Sequence, residues 1–432
     1  MAVRVIPRAE HPISRKFIDE DALKVLYRLY RSGHTAYLVG GSVRDLLLGR
    51  RPKDFDVATS ARPSQLKRLF RNCRLIGRRF RLAHIHFNSG KIVEVSTFRR
   101  EAEGRGEGDL LVTHDNTFGT PEEDARRRDF TVNGLFYDIS DFSLHDYVGG
   151  VEDVRKGIIR TIGDPNVRFQ EDPVRMIRAI KFVAKLGFKV EKLTWKALVT
   201  HLHHIESAAK PRVHEELARL LECGASAMSL EYLSESGLLA HVEPHLASYL
   251  ARAEAGHVPE DQDAHLVFRM FDAIDQRVAK GWEIERAILF SVWAYPLVLE
   301  RGLASLDDPT EMVRTTVEDL AEVLGLSRRD SERVQQLLVA QRKLLPTRRR
   351  KGLPRGFYQK SYFADSFLLF ELWATASGNE AELDWWKGRI EGAEGGSPGS
   401  LAASPGPQAH SESGGGRKRR RRGRRRRTPV EQ

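Results

Sequence analysis

Two aspartates one residue apart, Asp54 and Asp56, follow ten residues behind Arg44 and a Gly40-Gly41 pair. Carboxylates that close repel each other unless a cation lies between them. Oxygen-only ligands suit Mg²⁺ or Mn²⁺, which keep waters and substrate phosphates in their shells. Gly40-Gly41 follows the apolar Tyr37-Leu38-Val39, and glycines at a strand-to-helix turn let backbone N–H groups approach an anion. Arg44, on the first turn of the helix that follows, brings a fork of donors to the same phosphates, with Asp45 beside it as a structural partner. Together these residues describe two-metal chemistry on a nucleoside triphosphate. Each signal alone is weak, since an Asp-x-Asp also occurs in solvated turns and helix caps; the joint spacing carries the reading.

The elements that must hold these residues are legible in the hydrophobic pattern. A strand through Asp54-Phe55-Asp56 sets both carboxylates on one face and Phe55 toward the core. Ala22, Leu23, Leu26, Leu29 and Tyr30 predict an amphipathic helix over 19–32, and Pro63 opens a second over 63–70. Strands over 82–87 and 91–98 flank the turn Asn88-Ser89-Gly90. In the second of them Glu94 shares a face with Ile92 and Ser96; it reads either as a further carboxylate near the metals or as an edge-strand charge. Residues 101–120, rich in Gly and charge, read as a loop. Beyond about residue 170 nearly every segment has helical spacing, as in Met176, Ile177, Ile180, Val183 and Ala184. The fold class is therefore α+β: a small mixed-sheet head, an all-helical body and a disordered basic tail.

Composition narrows the partners. With 432 residues, 41% of them hydrophobic, the chain can bury two or three cores. The N-terminal residues lack the apolar run of a signal segment and no later stretch reaches membrane-spanning length, which predicts a cytoplasmic protein without membrane insertion. Cys73 and Cys223 are too few for a disulfide framework or a thiolate zinc site. Residues 391–432 hold ten Arg or Lys against four Glu, +6 of the chain's +11, in a Gly, Ser and Pro background that cannot order itself. Such a tail suits a phosphate polymer. Basic and aromatic residues interleave at Phe70, Arg71, Arg74, Arg78, Arg79, Phe80 and Arg81, and again at Arg348, Arg349, Arg350, Lys351, Arg355, Phe357 and Tyr358. Both clusters fit single-stranded RNA, through phosphate contacts and stacking, or a solvated face.

GGSVRD followed by DFD, with RRRDFTVNGLFYD (126–138), DYVGGVEDVRKGIIRTIGDP (146–165) and FQEDPVRMIRAIKFVAKLGF (169–188), resembles the nucleotidyltransferase superfamily of bacterial poly(A) polymerases and tRNA CCA-adding enzymes. The segment 66–87 resembles the poly(A) branch. The resemblance implies a catalytic head over 1–165, a helical nucleotide-recognition neck over 166–245, a helical RNA-binding body over 246–390 and the tail over 391–432. It adds Asp129 to the catalytic set of Asp54 and Asp56, and gives Arg128 to the triphosphate and Asn133 to sugar or phosphate. Glu171, Asp172, Arg175 and Arg178 fall at helical spacing, where an i,i+3 salt bridge is the plain alternative. In the resembled enzymes this EDxxR element is an amino-acid template for the incoming base. The implied activity is template-independent addition of AMP from ATP to RNA 3′ ends, with Mg²⁺ or Mn²⁺, in mRNA processing and decay. RNA-decay or ribosome-associated proteins are the implied protein partners. A CCA-adding enzyme shares nearly all these motifs, and an RNA-binding adaptor with an inactive head is the reading from outside catalysis.

Overall fold

The computed structural model describes residues 3–77, 82–100, 117–258, 263, 265–306, 308–346 and 356–393. Its head is built on an eight-stranded sheet: β1 (Arg4–Ile6), β2 (Ala36–Val39), β3 (Asp56–Thr59), β4 (Cys73–Ile76), β5 (Leu82–His86), β6 (Ile92–Thr97), β7 (Leu135–Asp138) and β8 (Leu144–Asp146), in the order β1-β8-β7-β2-β3-β6-β5-β4. β3 and β6 run parallel and the remaining pairs antiparallel. This is the mixed sheet that the alternating and short apolar runs predict.

Helix α1 (Glu20–Arg31) covers one face with Ala22, Val25, Leu26 and Leu29, and Asp19 caps it by accepting from the Asp21 and Ala22 amides. The cap satisfies N–H groups that have no partner within the helix. Helix α2 (Gly41–Leu47) leaves β2 at once, α3 (Pro63–Leu69) starts on Pro63, and α4 (Pro121–Arg126) opens with a capping box from Thr120 and Glu123.

The passage to helical structure follows α5 (Gly150–Lys156) and α6 (Pro165–Glu171). Then come α7 (Val174–Leu186), α8 (Lys192–Thr200) and α9 (Lys210–Leu221). Nine further helices follow among the described residues from Ser226 to Ala393, closed over large buried side chains such as Phe271, Trp293, Phe370 and Trp386. The core is continuous from the head into these helices. Among the described residues no helix is long and apolar enough to cross a membrane.

The tail from 394 onward, most of the 101–120 loop, and the candidate RNA contacts Arg78, Arg79, Arg81, Arg348, Arg349 and Arg350 lie outside the described residues. Two aromatics assigned to base stacking are corrected: Phe70 and Phe357 are buried at 5% and 3% exposure and belong to the core.

Candidate active site

A cleft of about 830 Å³ opens where the head meets α7 and α9. Gly40, Gly41, Arg44, Asp54, Asp56, Arg128, Asp129 and Asn133 line it from the head; Asp172, Arg175, Arg178, Arg212, Glu215, Glu216 and Arg219 line it from the helices. Residues separated by more than a hundred positions in sequence thus face one space.

The glycine elbow sits at the end of β2. Gly40 adopts φ +69°, a conformation that favours glycine, and an added Cβ there would meet Arg128 Nη1 at 3.1 Å. At Gly41 a Cβ would lie 3.4 Å from Arg44 Nη2. The bare backbone is what allows two guanidinium groups to approach the turn.

The same turn explains why the strand reading of Asp54 is corrected. β3 pairs with β2 in the register Val39 opposite Asp56, and β2 stops at Val39 because Gly40 turns the chain away. The β2 ladder therefore has its last rung at Asp56, and Asp54 precedes the strand. Phe55 is half-buried against the core, and both carboxylates still line the cleft. On its other side β3 pairs with β6, with Asp56 opposite Glu94. Glu94 is half-exposed and lies 3.3 Å from His84 Nε2.

Asp56 is open to the solvent of the cleft yet walled in by protein. That enclosure, then Glu94, then Asp54, pushes its carboxyl up to about 6, with Arg128 opposing. Among the described residues this acidic wall is short of positive charge.

Asp129 has the opposite surroundings. It precedes a short helical turn, Thr131–Asn133, which is fastened by Thr131 N to Arg160 O (2.9 Å), Thr131 Oγ1 to Asp153 Oδ2 (2.7 Å) and Ile162 N to Asp129 O (3.1 Å). Asp129 Oδ1 accepts from Phe130 N (2.8 Å) and Asn133 Nδ2 (3.2 Å), while Oδ2 accepts from Arg178 Nε (2.8 Å) and Nη2. Burial opposes its ionisation, but the Arg178 charge and these donors hold it down to about 2. Arg178 also donates to Glu216 Oε1 (3.0 Å), and Lys181 donates to Glu216 Oε2. In return Asp129 raises Arg178 above the ordinary arginine value, against burial, with Glu216 adding to the effect.

Asn133 links this network to the elbow: its Oδ1 accepts from Arg44 Nη1 (2.7 Å). Arg44 is buried at 3% exposure and donates Nε and Nη2 to Asp45 Oδ1 at 2.9 and 2.7 Å. Arg44 and Asn133 thus brace the cleft wall. Arg128 donates to Asp124 Oδ2 through Nε (3.3 Å) and Nη2 (3.1 Å), and lies over the Phe136 ring. Its neighbour Arg126 pairs on the surface with Glu122, whereas burial followed by the charges of Arg99, Arg128, Arg168 and Arg175 brings Arg127 down to about 9.

Glu171, Asp172, Arg175 and Arg178 do not ride on one continuous helix face. Pro173 disfavours helical geometry at the residue before it, and Asp172 sits at φ −148°, ψ 86° in the break between α6 and α7. Glu171 turns inward, 4% exposed, and accepts from Arg168 Nη1 (3.0 Å) and Arg175 Nη1 (3.5 Å). Asp172, Arg175 and Arg178 face the cleft.

Helical spacing at Leu217, Leu220 and Leu221 marks α9 in the sequence, but its charged face was missed. Its RVHEELAR run carries Arg212, Glu215, Glu216 and Arg219 at spacings of three and four, a charged helical face that could have been read as a second wall. Sequence reasoning also missed Asp138, Asp141 and His145, whose potential ligand atoms lie within 4.8 Å of one another on the β7–β8 hairpin. There, Asp138 and Asp141 already accept from the Ser140 and Ser143 amides of the turn.

Residues 36–160 match the family model described as the poly A polymerase head domain, and 187–250 match the probable RNA and SrmB-binding site of polymerase A. A poly(A) polymerase I from Salmonella typhi is 39% identical over 406 residues, covering 88% of this chain and 84% of that protein. A CCA-adding enzyme from Leuconostoc mesenteroides subsp. mesenteroides is 33% identical, covering 75% of this chain and 82% of its own. Among solved structures, the apo form I of a CCA-adding enzyme superposes with a TM-score of 0.58 at 20% identity, covering 88% of this chain and 83% of its own, which is a likeness of fold. Identity sustained along both relatives, together with a head match that contains the elbow, Asp54, Asp56 and Asp129, means that the chain belongs to the poly(A) polymerase family of the nucleotidyltransferase superfamily.

Proposed function

We propose that this protein adds AMP from ATP to RNA 3′ ends without a template and releases pyrophosphate, a reaction that belongs to mRNA processing and decay. The observation that carries the reading is the cleft itself, with crowded acids on one wall and arginines beside Asp172 on the other.

Asp54 and Asp56 would hold Mg²⁺ or Mn²⁺, with Glu94 adjacent. The fit rests on the donor set, which is all carboxylate oxygen, and on the enclosure by protein that, with the negative charges of Glu94 and Asp54, lifts Asp56 to about 6. When bound, the cations lower the pKa of the RNA 3′-hydroxyl and neutralise the triphosphate. Arg128 and Arg178 donate hydrogen bonds to triphosphate oxygens, and the Gly40-Gly41 backbone leaves room for that approach. Asp129 positions Arg178, and Asn133 ties that pair to Arg44. Asp172 accepts from the amino group of the base while Arg175 donates to its ring edge. The 3′-hydroxyl oxygen then bonds to the α-phosphorus as the bond to pyrophosphate breaks.

Poly(A) polymerase I relatives match more of this chain, at higher identity, than the CCA-adding relative does, which favours ATP alone. CCA addition stays as the second reading because that relative also matches along most of its length. The test supplies each nucleotide singly to a generic RNA and to a tRNA lacking its CCA end, with products sized on a gel. Long ladders with ATP on both RNAs are expected. A stop after three additions that needs CTP supports the second reading, and no extension with any nucleotide supports the adaptor.

A further inference from the structure

We infer that Arg212 sets base selectivity in this enzyme as a positioning residue that acts through Asp172; the inference rests on the function proposed above. Arg212 Nη2 donates to Asp172 Oδ2 at 2.8 Å, a bond that joins α9 to the break between α6 and α7 across forty positions of sequence. The other carboxylate oxygen, Oδ1, is enclosed and accepts no hydrogen bond among the described residues.

The Arg212 bond restrains the carboxylate through Oδ2 and leaves Oδ1 as its unpaired acceptor, which a base entering the cleft would have to reach. Adenine and cytosine both present an exocyclic amino group, and the orientation of Asp172 decides which of the two bases brings that donor into reach. Arg175, the neighbouring donor, is already committed through Nη1 to Arg168 O at 2.8 Å, so its direction is set by α6. Asp172 lies outside both helices, and among the described residues its side chain has no such backbone anchor. Arg212 supplies one.

The location of Arg212 points the same way. It stands in the first turn of α9 with Lys210, and that turn contains no acid. Cations at a helix N-terminus act against the helix dipole, so local helix stability gives no reason for the pair. The side chain is largely exposed, 58%, while Asp172 is largely covered, 16%. The contact therefore orders Asp172 and contributes little to the core.

The experiment measures kcat/KM for ATP and for CTP on one RNA, using the full chain, Arg212→Ala, Arg212→Lys, Asp172→Asn and the Arg212→Ala, Asp172→Asn double variant. Arg212→Ala is expected to lower the preference for ATP over CTP about tenfold with its thermal midpoint unchanged, and Arg212→Lys to recover part of the loss. On the Asp172→Asn background the further change is expected to stay below about twofold, because the two residues act as a unit. Unchanged selectivity in Arg212→Ala, or additive effects in the double variant, overturns the inference while the proposed function stands. A wild-type chain that extends RNA with no nucleotide overturns the proposed function, and the inference with it.

Discussion

Asp56 and Asp129 face the same cleft, yet one carboxyl is pushed up to about 6 and the other held near 2. The residue type is the same and both are enclosed by protein, so the difference comes from neighbours. Asp56 has Glu94 and Asp54 beside it and, among the described residues, Arg128 against them; Asp129 has Arg178 on one oxygen and two N–H donors on the other. A wall of acids opposed by Arg128 keeps an excess of negative charge, which is what the proposed cations would neutralise. A wall whose acids are already neutralised serves to hold something else still, here Arg178 and through it α9. Within one constellation that sequence alone treats as a single acidic set, the surroundings thus divide carboxylates that crowd one another from a carboxylate that is already paired.

The largest expected effect tests the acidic wall. Asp54→Asn with Asp56→Asn should reduce AMP incorporation by about a thousandfold, the scale seen when charge stabilisation of a transition state is lost. RNA binding, followed by filter retention, should be nearly unchanged, and thermal stability should hold or rise because two like charges are removed. Loss of stability comparable to that of an Asp129 variant would erase the distinction between the walls.

Next comes the bracing network. Asp129→Ala leaves Arg178 facing Glu216 alone and removes the acceptor of Asn133 Nδ2, so a destabilisation of about 3 kcal/mol is expected, read from the urea midpoint. Activity should fall as well, through displacement of Arg178. A variant as stable as the parent but inactive would move Asp129 to the reacting side.

The two aspartates also titrate in opposite windows. Above pH 4 the unfolded chain ionises at Asp56 while the folded chain still holds its proton, so stability falls between about pH 4 and 6. Asp129 behaves in reverse: its contribution is complete above its ordinary value of 3.8 and is lost as pH drops toward 2. Because Asp56 is open to cleft solvent, its share is about 1 kcal/mol at most. Urea titrations of wild type and Asp56→Asn should differ in slope only in the upper window, and Mg²⁺ should remove that difference by binding the folded state. Identical slopes would mean that neither enclosure nor its acidic neighbours raise Asp56.

How much of this was legible in the sequence depends on whether a position is set by local or distant chain. The elbow, the hairpin turn at Asn88-Ser89-Gly90 and the first helix announced themselves through glycine, proline and apolar spacing, because each answers to a local rule. Asp54 was misjudged by two residues of strand, since the end of a ladder depends on where the neighbouring strand turns, and that strand is seventeen positions earlier. Asp129 could be found but its surroundings could not: Arg178 and Glu216 meet it across 49 positions and through one another. Glu171 and Asp172 are adjacent, and Pro173 sends one into the core and the other to the cleft.

The smallest expected effect comes from Arg126, and it sharpens the same lesson on cations. Arg126, Arg127 and Arg128 are consecutive, but the end of α4 sends them three ways: Arg126 to a surface pair with Glu122 at 2.7 Å, Arg127 into a crowded cationic interior, and Arg128 to the cleft. Both members of the Arg126 pair are about half exposed, and an i,i+4 pair of that kind contributes about 0.3–0.5 kcal/mol, less in salt. Arg126→Ala should therefore shift the urea midpoint barely above error and leave kcat and KM for ATP alone, whereas Arg128→Ala should raise KM for ATP about tenfold by removing a donor to the triphosphate. Equal losses from the two substitutions would mean that the arginine run acts as one diffuse field, and that the cleft selects charge rather than the placement of individual side chains.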